Sequence, residues 1–191
     1  MSVASIARST PPAPADLLAT QVSATWHGHF RTHARARQFD IHMAEPEALG
    51  GDDSAPNPLE LVLAGLEGCL AVVIEVVAGE YGAKVSAIDL ASESSLDLRG
   101  FLATADVPPY FRSVHTRIEI DTDIPPERFD AFTRDVQTRC PVGTLIEAAG
   151  VDFRLEWLRV NSAAKAWQRL WPPASTSGWS GCESEPSGTR Q

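Results

Sequence analysis

An apolar segment that begins at Asn57-Pro58 and runs to about Gly82 constrains the fold more than any other part of the sequence. Asn57 is a favourable helix N-cap, Pro58 suits the first helical position, and Glu60 completes a capping box. Gly82 is typical of a helix C-terminus. The predicted helix is apolar on nearly all faces, which favours burial over a place on a surface. Its apolar residues include Leu61, Val62, Leu63, Leu66, Leu70, Val72, Val73, Ile74, Val76 and Val77.

A helix that is apolar all round is difficult to bury in a small monomer, because one sheet covers only one side of it. The simplest cover for the other side is the same helix of a second copy. Gly65 and Gly68 lower helix propensity, and they predict that another backbone passes close to this face, beside Cys69. We therefore expect an obligate homodimer with Cys69 near its interface.

The segments around the helix alternate between strand and helix patterns. Residues 22–30 and 34–43 predict a first antiparallel strand pair, and residues 45–56 predict a loop. Further strands are predicted at residues 84–98, 113–121 and 151–160, with a turn at residues 99–101. Helices are predicted from Pro125-Pro126 to Cys140 and at residues 144–149. These elements predict an α+β protein with an antiparallel sheet and two principal helices.

The two ends differ from the middle in composition. Residues 1–20 are rich in Ser, Pro and Ala and predict a disordered N-terminal arm. Residues 161–191 predict a flexible C-terminal tail, whose Trp167, Trp171 and Trp179 would alternatively dock on the body or on a partner chain. Cys182 in this tail is interpreted as a bystander thiol. A single domain is expected over residues 21–160.

Composition limits the function classes. A chain of 191 residues that is 43% hydrophobic can bury one core. The net charge of −9 argues against nucleic acid or an anionic membrane as partner. Three cysteines form no disulfide framework, which favours a reducing compartment, and no run is expected to reach the ~20 apolar residues of a membrane span. No signal segment is recognised at the start, so the cytoplasm is expected.

Two cysteines are the candidate functional residues. Cys69 lies in the middle of the apolar helix, and Cys140 lies in Arg139-Cys140-Pro141-Val142. A helical cysteine that faces a second cysteine from elsewhere suits thiol redox chemistry, in which the thiolate is the reactive form. The alternative is that both are small packing residues.

Histidines are the other candidate ligands. His27, His29, His33 and His42 cluster in the N-terminal strands, and metal ligation there is the alternative to ordinary surface histidines. No matching cysteine or carboxylate spacing accompanies them, so neither a metal site nor a cofactor is expected.

The sequence resembles the family of osmotically inducible protein C and the organic hydroperoxide resistance proteins, over roughly residues 22–160. Four motifs carry the resemblance: Glu45-Pro46 with Gly50-Gly51, Asn57-Pro58-Leu59-Glu60-Leu61 with Gly68-Cys69, residues 97–101, and Arg139-Cys140-Pro141-Val142. The resemblance implies the OsmC-like fold and the intertwined homodimer that is typical of the family.

The resemblance also implies a chemistry. Cys69 would attack an organic hydroperoxide and become a sulfenic acid, and Cys140 would resolve it to a disulfide. An external dithiol, either a lipoylated protein or a thioredoxin-like reductant, would restore both thiols. The alternative function is a non-catalytic dimer that binds an apolar small molecule in the same interface.

Two positions differ from the peroxide-reducing members of that family. Those members place a glutamate directly after the Asn-Pro pair, where this chain has Leu59. The neighbouring Glu60 is predicted on the helix face opposite Cys69, in a capping role. The arginine that activates the thiolate in those members has three candidates here, Arg31, Arg35 and Arg37, of which Arg37 is the first choice.

Overall fold

The computed structural model describes residues 16–160. Most of the predicted N-terminal arm and all of the predicted tail, with Trp167, Trp171, Trp179 and Cys182, lie outside the described residues. The chain divides into two compact units, residues 1–61 and residues 62–191, and each is described by itself.

The first unit contains a three-stranded antiparallel sheet of β1 (Ser23–Trp26), β2 (Thr32–Ala36) and β3 (Phe39–Met43). The prediction of one strand over residues 34–43 is wrong, because a two-residue turn at Arg37 and Gln38 folds that segment into a hairpin. Arg37 takes a positive φ of 56° there. Arginine is not a typical residue of such turns, so the alternating strand pattern gave no indication that the chain reverses there.

The loop after β3 depends on its two glycines. A short 3-10 helix, Glu47–Leu49, ends at Gly50, whose φ of 89° is left-handed. A Cβ on Gly51 would lie 1.8 Å from the Glu45 carbonyl oxygen, so only glycine allows this close approach. The predicted loop at residues 45–56 is thus compact, with Gly51 packed against Glu45, and the long apolar helix begins directly after it.

Helix α1 (Pro58–Glu80) begins where the capping box predicts. The Glu60 N–H donates to Asn57 Oδ1 at 2.9 Å, and the Asn57 N–H donates to Glu60 Oε2 at 2.8 Å. Gly82, with a φ of 68°, follows the helix end. Both predicted ends of α1 are confirmed, and so is the capping role of Glu60.

The second unit contains the sheet β4 (Val85–Leu96), β5 (Phe111–Thr122) and β6 (Asp152–Arg159), with β5 in the centre. Strands β4 and β5 are antiparallel, whereas β6 pairs with β5 in parallel. The class prediction of α+β is confirmed, but the sheet is not wholly antiparallel. The chain between β5 and β6 is long enough, at about 30 residues, to return to the same end of the sheet, as a parallel pair requires.

Three helices accompany this sheet. Helix α2 (Leu98–Phe101) replaces the predicted turn, and the Asp97 carboxylate caps it by accepting from the Arg99 N–H at 3.1 Å. Helices α3 (Pro126–Arg139) and α4 (Pro141–Ala148) lie between β5 and β6 in the chain. Cys140 separates them, close to where the sequence predicted one helix to end and the next to begin.

The core of the second unit joins one stripe of α1 to the sheet and to α3. Leu66, Leu70, Ile74 and Val77 of α1 are fully buried with β5 residues and with Phe132 and Val136 of α3. These α1 positions are four, four and three residues apart, the spacing of one helix face. Burial of such side chains contributes about 1.5–3 kcal/mol each, so this stripe fixes α1 against the sheet.

The opposite side of α1 is open within the chain. Val72 is 60% exposed and Val76 is 49% exposed, and among residues 16–160 no atom lies within 4 Å of a Cβ built on Gly65 or Gly68. The backbone expected beside these glycines is therefore not supplied by the described residues of the single chain, and its approach from a second copy stays a prediction. We call this face, with Val62, Gly65, Gly68, Val72, Val76 and Gly79, the open stripe.

The expectation that no run is long enough to span a membrane is also wrong. Helix α1 is long and apolar enough to cross one by length and composition alone. A core helix of a soluble protein passes the same test. The buried stripe packs in the core with β5 and α3, as expected of a core helix.

Asn57→Ala should lower the free energy of unfolding by about 1 kcal/mol, because it removes the acceptor that caps the first turn of α1. Urea unfolding at neutral pH measures the difference. Asn57→Asp keeps the acceptor and is the matched control. Equal stability of the alanine and aspartate variants would contradict the capping role.

Candidate redox site

The residue that follows Cys140 determines how its thiol is placed. A proline disfavours helical backbone in the residue before it, and Cys140 has φ −78° and ψ 111°, an extended conformation. Helix α3 therefore ends at Arg139, and Cys140 becomes the N-cap of α4. Its Sγ accepts a hydrogen bond from the Gly143 N–H at 3.3 Å. The thiol is thus held at a defined place by two helix ends.

Cys140 is fully buried, and its surroundings favour the neutral thiol. Burial is the main reason that the pKa of Cys140 rises from 9.0 to about 11. The Gly143 N–H opposes this rise in pKa, and the adjacent Cys69 side chain adds to it through a hydrogen-bonding interaction. Cys140 therefore keeps its proton at neutral pH.

Cys69 lies at the boundary of the two stripes of α1. It follows the buried Leu66 by three residues, packs against the core cluster that contains Cys140, and is only partly buried. The structure thus brings together the two cysteines that the sequence singles out, and both are free thiols. Of the pair, Cys69 is the thiol with access to the outside and Cys140 is the shielded one.

Sequence reasoning missed Gly143. A Cβ there would lie 3.4 Å from Cys140 Sγ and 3.3 Å from Phe153 Cε1, both tight for a carbon atom. Glycine thus leaves room for the sulfur while its N–H donates to it. The signal that could have found it is a glycine three residues after the cysteine of a Cys-Pro pair at a helix start, where the N-cap side chain accepts from the N–H of the third helical residue.

The three candidate arginines all lie in the first unit and have partners there. Arg31 pairs with Asp52 at 3.5 Å and Arg35 pairs with Asp40 at 3.1 Å. The guanidinium of Arg37 lies 5.1 Å from the centre of the Phe39 ring. Leu59, at the position of the family's glutamate, is 42% exposed.

The histidines form a surface group in the first sheet. His33 and His42 are opposite each other on β2 and β3, and their rings stack at 4.6 Å. His33 Nε2 lies 2.8 Å from Asp40 Oδ1. His27 joins them around an open cavity of about 560 Å³. Among residues 16–160, no group of three or more His, Cys, Asp or Glu side chains could hold a metal ion.

The fold and the site define this protein as a mixed α+β domain with two neighbouring free thiols. The family model described as OsmC-like protein matches residues 51–156, which is more than half of the chain and includes both cysteines. The chain therefore belongs to the OsmC-like protein family. No curated protein matches the chain significantly.

Solved structures of the same fold come from several bacteria. An OsmC-like protein from Mycoplasma pneumoniae is 17% identical with a TM-score of 0.66, covering 75% of this chain and 99% of its own. The organic hydroperoxide resistance protein OsmC of Legionella pneumophila is 20% identical with a TM-score of 0.54, covering 76% of this chain and 98% of its own. The organic hydroperoxide resistance protein OhrB of Bacillus subtilis is 20% identical with a TM-score of 0.53, covering 73% and 98%. At these identities the likeness shows the fold.

The raised pKa of Cys140 predicts a loss of stability at alkaline pH. A thiol whose folded-state pKa lies above its unfolded value stabilises the fold fully below pH 9, and this contribution is lost as pH rises through about 11. The loss should be on the order of 2 kcal/mol. Urea unfolding under reducing conditions from pH 8 to 11 measures it.

Cys140→Ser is the control, because a serine hydroxyl does not titrate in this range. The stability difference between the two proteins should shrink as pH rises. A difference that stays constant from pH 8 to 11 would contradict the raised pKa.

Proposed function

We propose that this protein is a thiol-dependent peroxidase that reduces organic hydroperoxides through Cys69 and Cys140. The observation that carries the proposal is the contact between a partly exposed thiol on α1 and a buried thiol at the N-cap of α4. Membership of the OsmC-like family supports it, as do the names of the Legionella and Bacillus structures.

In the first step the Cys69 thiolate attacks the outer oxygen of the hydroperoxide. The O–O bond breaks, the Cys69 sulfur becomes a sulfenic acid, and the alkoxide leaves and takes a proton to become an alcohol. Cys69 suits this step because its side chain is only partly buried. Apolar side chains of α1 on either side of it would favour organic hydroperoxides over hydrogen peroxide.

In the second step the Cys140 sulfur attacks the sulfenic sulfur of Cys69. The S–O bond breaks, hydroxide leaves as water after protonation, and a disulfide forms. The high pKa of Cys140 means that its thiol loses a proton as it attacks. The Gly143 N–H would stabilise negative charge on the Cys140 sulfur at that point.

An external dithiol completes the cycle by reducing the disulfide. A lipoylated protein or a thioredoxin-like protein is the proposed class of reductant. Such a cycle needs a reducing compartment, and the chain's few cysteines suit the cytoplasm.

We also propose that the protein is a homodimer in which a second copy covers the open stripe of α1. A contiguous apolar face that water wets is unfavourable, and it lies beside Cys69. The first unit supports the same conclusion, because Trp26, Phe30 and Phe39 are all more than half exposed and, of the described residues of that unit, only Ala34 and Ala44 are buried. The net charge of −9 opposes an anionic membrane as the cover.

Treatment with one equivalent of cumene hydroperoxide should remove two hydrogens from the protein, with digestion and mass spectrometry locating a Cys69–Cys140 disulfide. Cys69→Ser should abolish the reaction, since it removes the attacking sulfur. Cys140→Ser should stop at the sulfenic acid, with one added oxygen that a sulfenic-acid reagent traps.

Cys182→Ser is the matched control and should react as the wild type does. If Cys69→Ser keeps the full activity, the peroxidase proposal fails. Unchanged thiols in the wild type would instead favour a non-catalytic dimer that binds an apolar small molecule.

Val76→Glu should convert the dimer to a monomer, because it places a charge within the apolar interface that the open stripe would form. Light scattering after size-exclusion chromatography measures the mass. Thr138→Glu adds the same charge to an exposed position of α3 and should remain dimeric. A stable wild-type monomer would contradict the proposed dimer.

A further inference from the structure

The C-terminal end of α1 is tied to α3 by two polar contacts. The Arg139 guanidinium donates two hydrogen bonds to the Glu80 carboxylate, at 2.5 and 2.8 Å. One residue further along the chain, the Tyr81 hydroxyl donates to Asp135 Oδ2 at 2.8 Å. We call these four residues the α1–α3 clamp.

The clamp connects the helix that carries Cys69 to the helix that ends directly before Cys140. Arg139 directly precedes Cys140, and Glu80 lies on the same helix as Cys69, eleven residues later. Eleven residues correspond to about 16 Å along a helix axis. The ion pair therefore lies about three helical turns from Cys69 along α1. A shift of α3 along α1 would stretch these bonds and move Cys140 relative to Cys69.

Electrostatics keep the clamp closed at neutral pH. The hydrogen bond from Arg139 lowers the pKa of Glu80, and the same contact raises the pKa of Arg139. The hydrogen bond to Asp135 raises the pKa of Tyr81, so its hydroxyl proton stays in place. Both residues of the ion pair therefore remain charged, and the phenol remains a donor.

The clamp adds little to the stability of the fold. The side chains of Arg139 and Glu80 are 43% and 53% exposed, and exposed ion pairs are screened by water and salt. The buried contacts of Phe132 and Val136 with the core hold α3 in place as a whole. The two hydrogen bonds instead fix the orientation of Arg139 relative to Glu80, because a guanidinium and a carboxylate joined by two parallel bonds cannot rotate freely against each other.

We propose that the α1–α3 clamp is a positioning device for disulfide closure, which holds Cys140 in line with Cys69. The proposal rests on the proposed peroxidase function. In closure the Cys140 sulfur bonds to the sulfenic sulfur of Cys69 while the S–O bond breaks and hydroxide leaves, and the organic hydroperoxide of the first step is the oxidant. A disulfide requires sulfurs about 2.05 Å apart in a narrow dihedral range, so small displacements of α3 slow its formation. The first step uses Cys69 alone and does not depend on the clamp.

Glu80→Gln tests the proposal, because glutamine keeps the size of the side chain and removes its charge. Oxidation with excess cumene hydroperoxide is stopped at intervals by a sulfenic-acid reagent, and mass spectrometry counts the thiol, sulfenic acid and disulfide forms. Sulfenic acid should form at the wild-type rate, and closure should slow about fivefold. Added salt should slow closure in the wild type and leave the variant unchanged, since salt screens the ion pair.

A charge swap provides a rescue that a purely structural role does not predict. Arg139→Glu alone should slow closure, and the double variant Glu80→Arg with Arg139→Glu should recover most of the rate. Glu75→Gln, at an exposed position of the same helix, is the matched control and should close as the wild type does. Thermal unfolding of each variant shows that it is folded.

Each outcome decides one question. A folded Glu80→Gln variant that closes at the wild-type rate would overturn the positioning role and leave the peroxidase intact. If Glu80→Gln fails to fold, Glu80→Asp keeps the charge but shortens the reach, and wild-type closure in that variant would overturn the role equally. A wild type that forms no sulfenic acid refutes the peroxidase itself, and the positioning role falls with it.

Discussion

The restriction that Pro141 places on Cys140 is the constraint on which the candidate site depends. It ends α3, begins α4 and makes a cysteine the cap between them. A single extended residue thus decides where the second thiol lies, because two packed helices leave it no other position. Gly143 completes the arrangement, since its missing side chain leaves space for the sulfur that its N–H binds. Local backbone chemistry thus sets where the second thiol lies relative to the ends of α3 and α4.

The other half follows from the two stripes of α1. One stripe is buried with β5 and α3, and the open stripe is apolar but exposed within the chain. Cys69 lies between them, so that it packs against the core and is only partly buried. Under the proposed function this difference in burial would divide the roles of the thiols, with Cys69 reacting with the hydroperoxide and the shielded, protonated Cys140 reacting with the sulfenic acid. A partner copy on the open stripe would enclose the same place in an apolar surface.

The sequence predicts those parts of the fold that depend on near neighbours. The capping box of Asn57 and Glu60, the stop at Gly82 and the boundary at Cys140 are all set within a few residues, and all three are confirmed. The parallel pairing of β6 is not local, because it depends on the path that α3 and α4 take across the sheet. The sequence does not predict the hairpin at Arg37, because arginine is not a typical turn residue. The resemblance to the family implies that the two cysteines lie close together. The role of Gly143 is visible only in the structure, where its N–H meets the Cys140 sulfur.

Membership of the family gives the fold, but the choice of residues at the site bears on the chemistry. A residue that only capped α4 would be better as Ser, Thr or Asp, whose oxygen is a stronger acceptor than sulfur. A residue that only filled the core beside Phe153 would be better as Ala or Val, which carry no polar group to bury. Cysteine is a compromise in both roles, and it is placed against a second cysteine on another helix. Disulfide formation is the one task in which this residue at this place has no substitute, and that favours redox chemistry over packing as the reason for the pair.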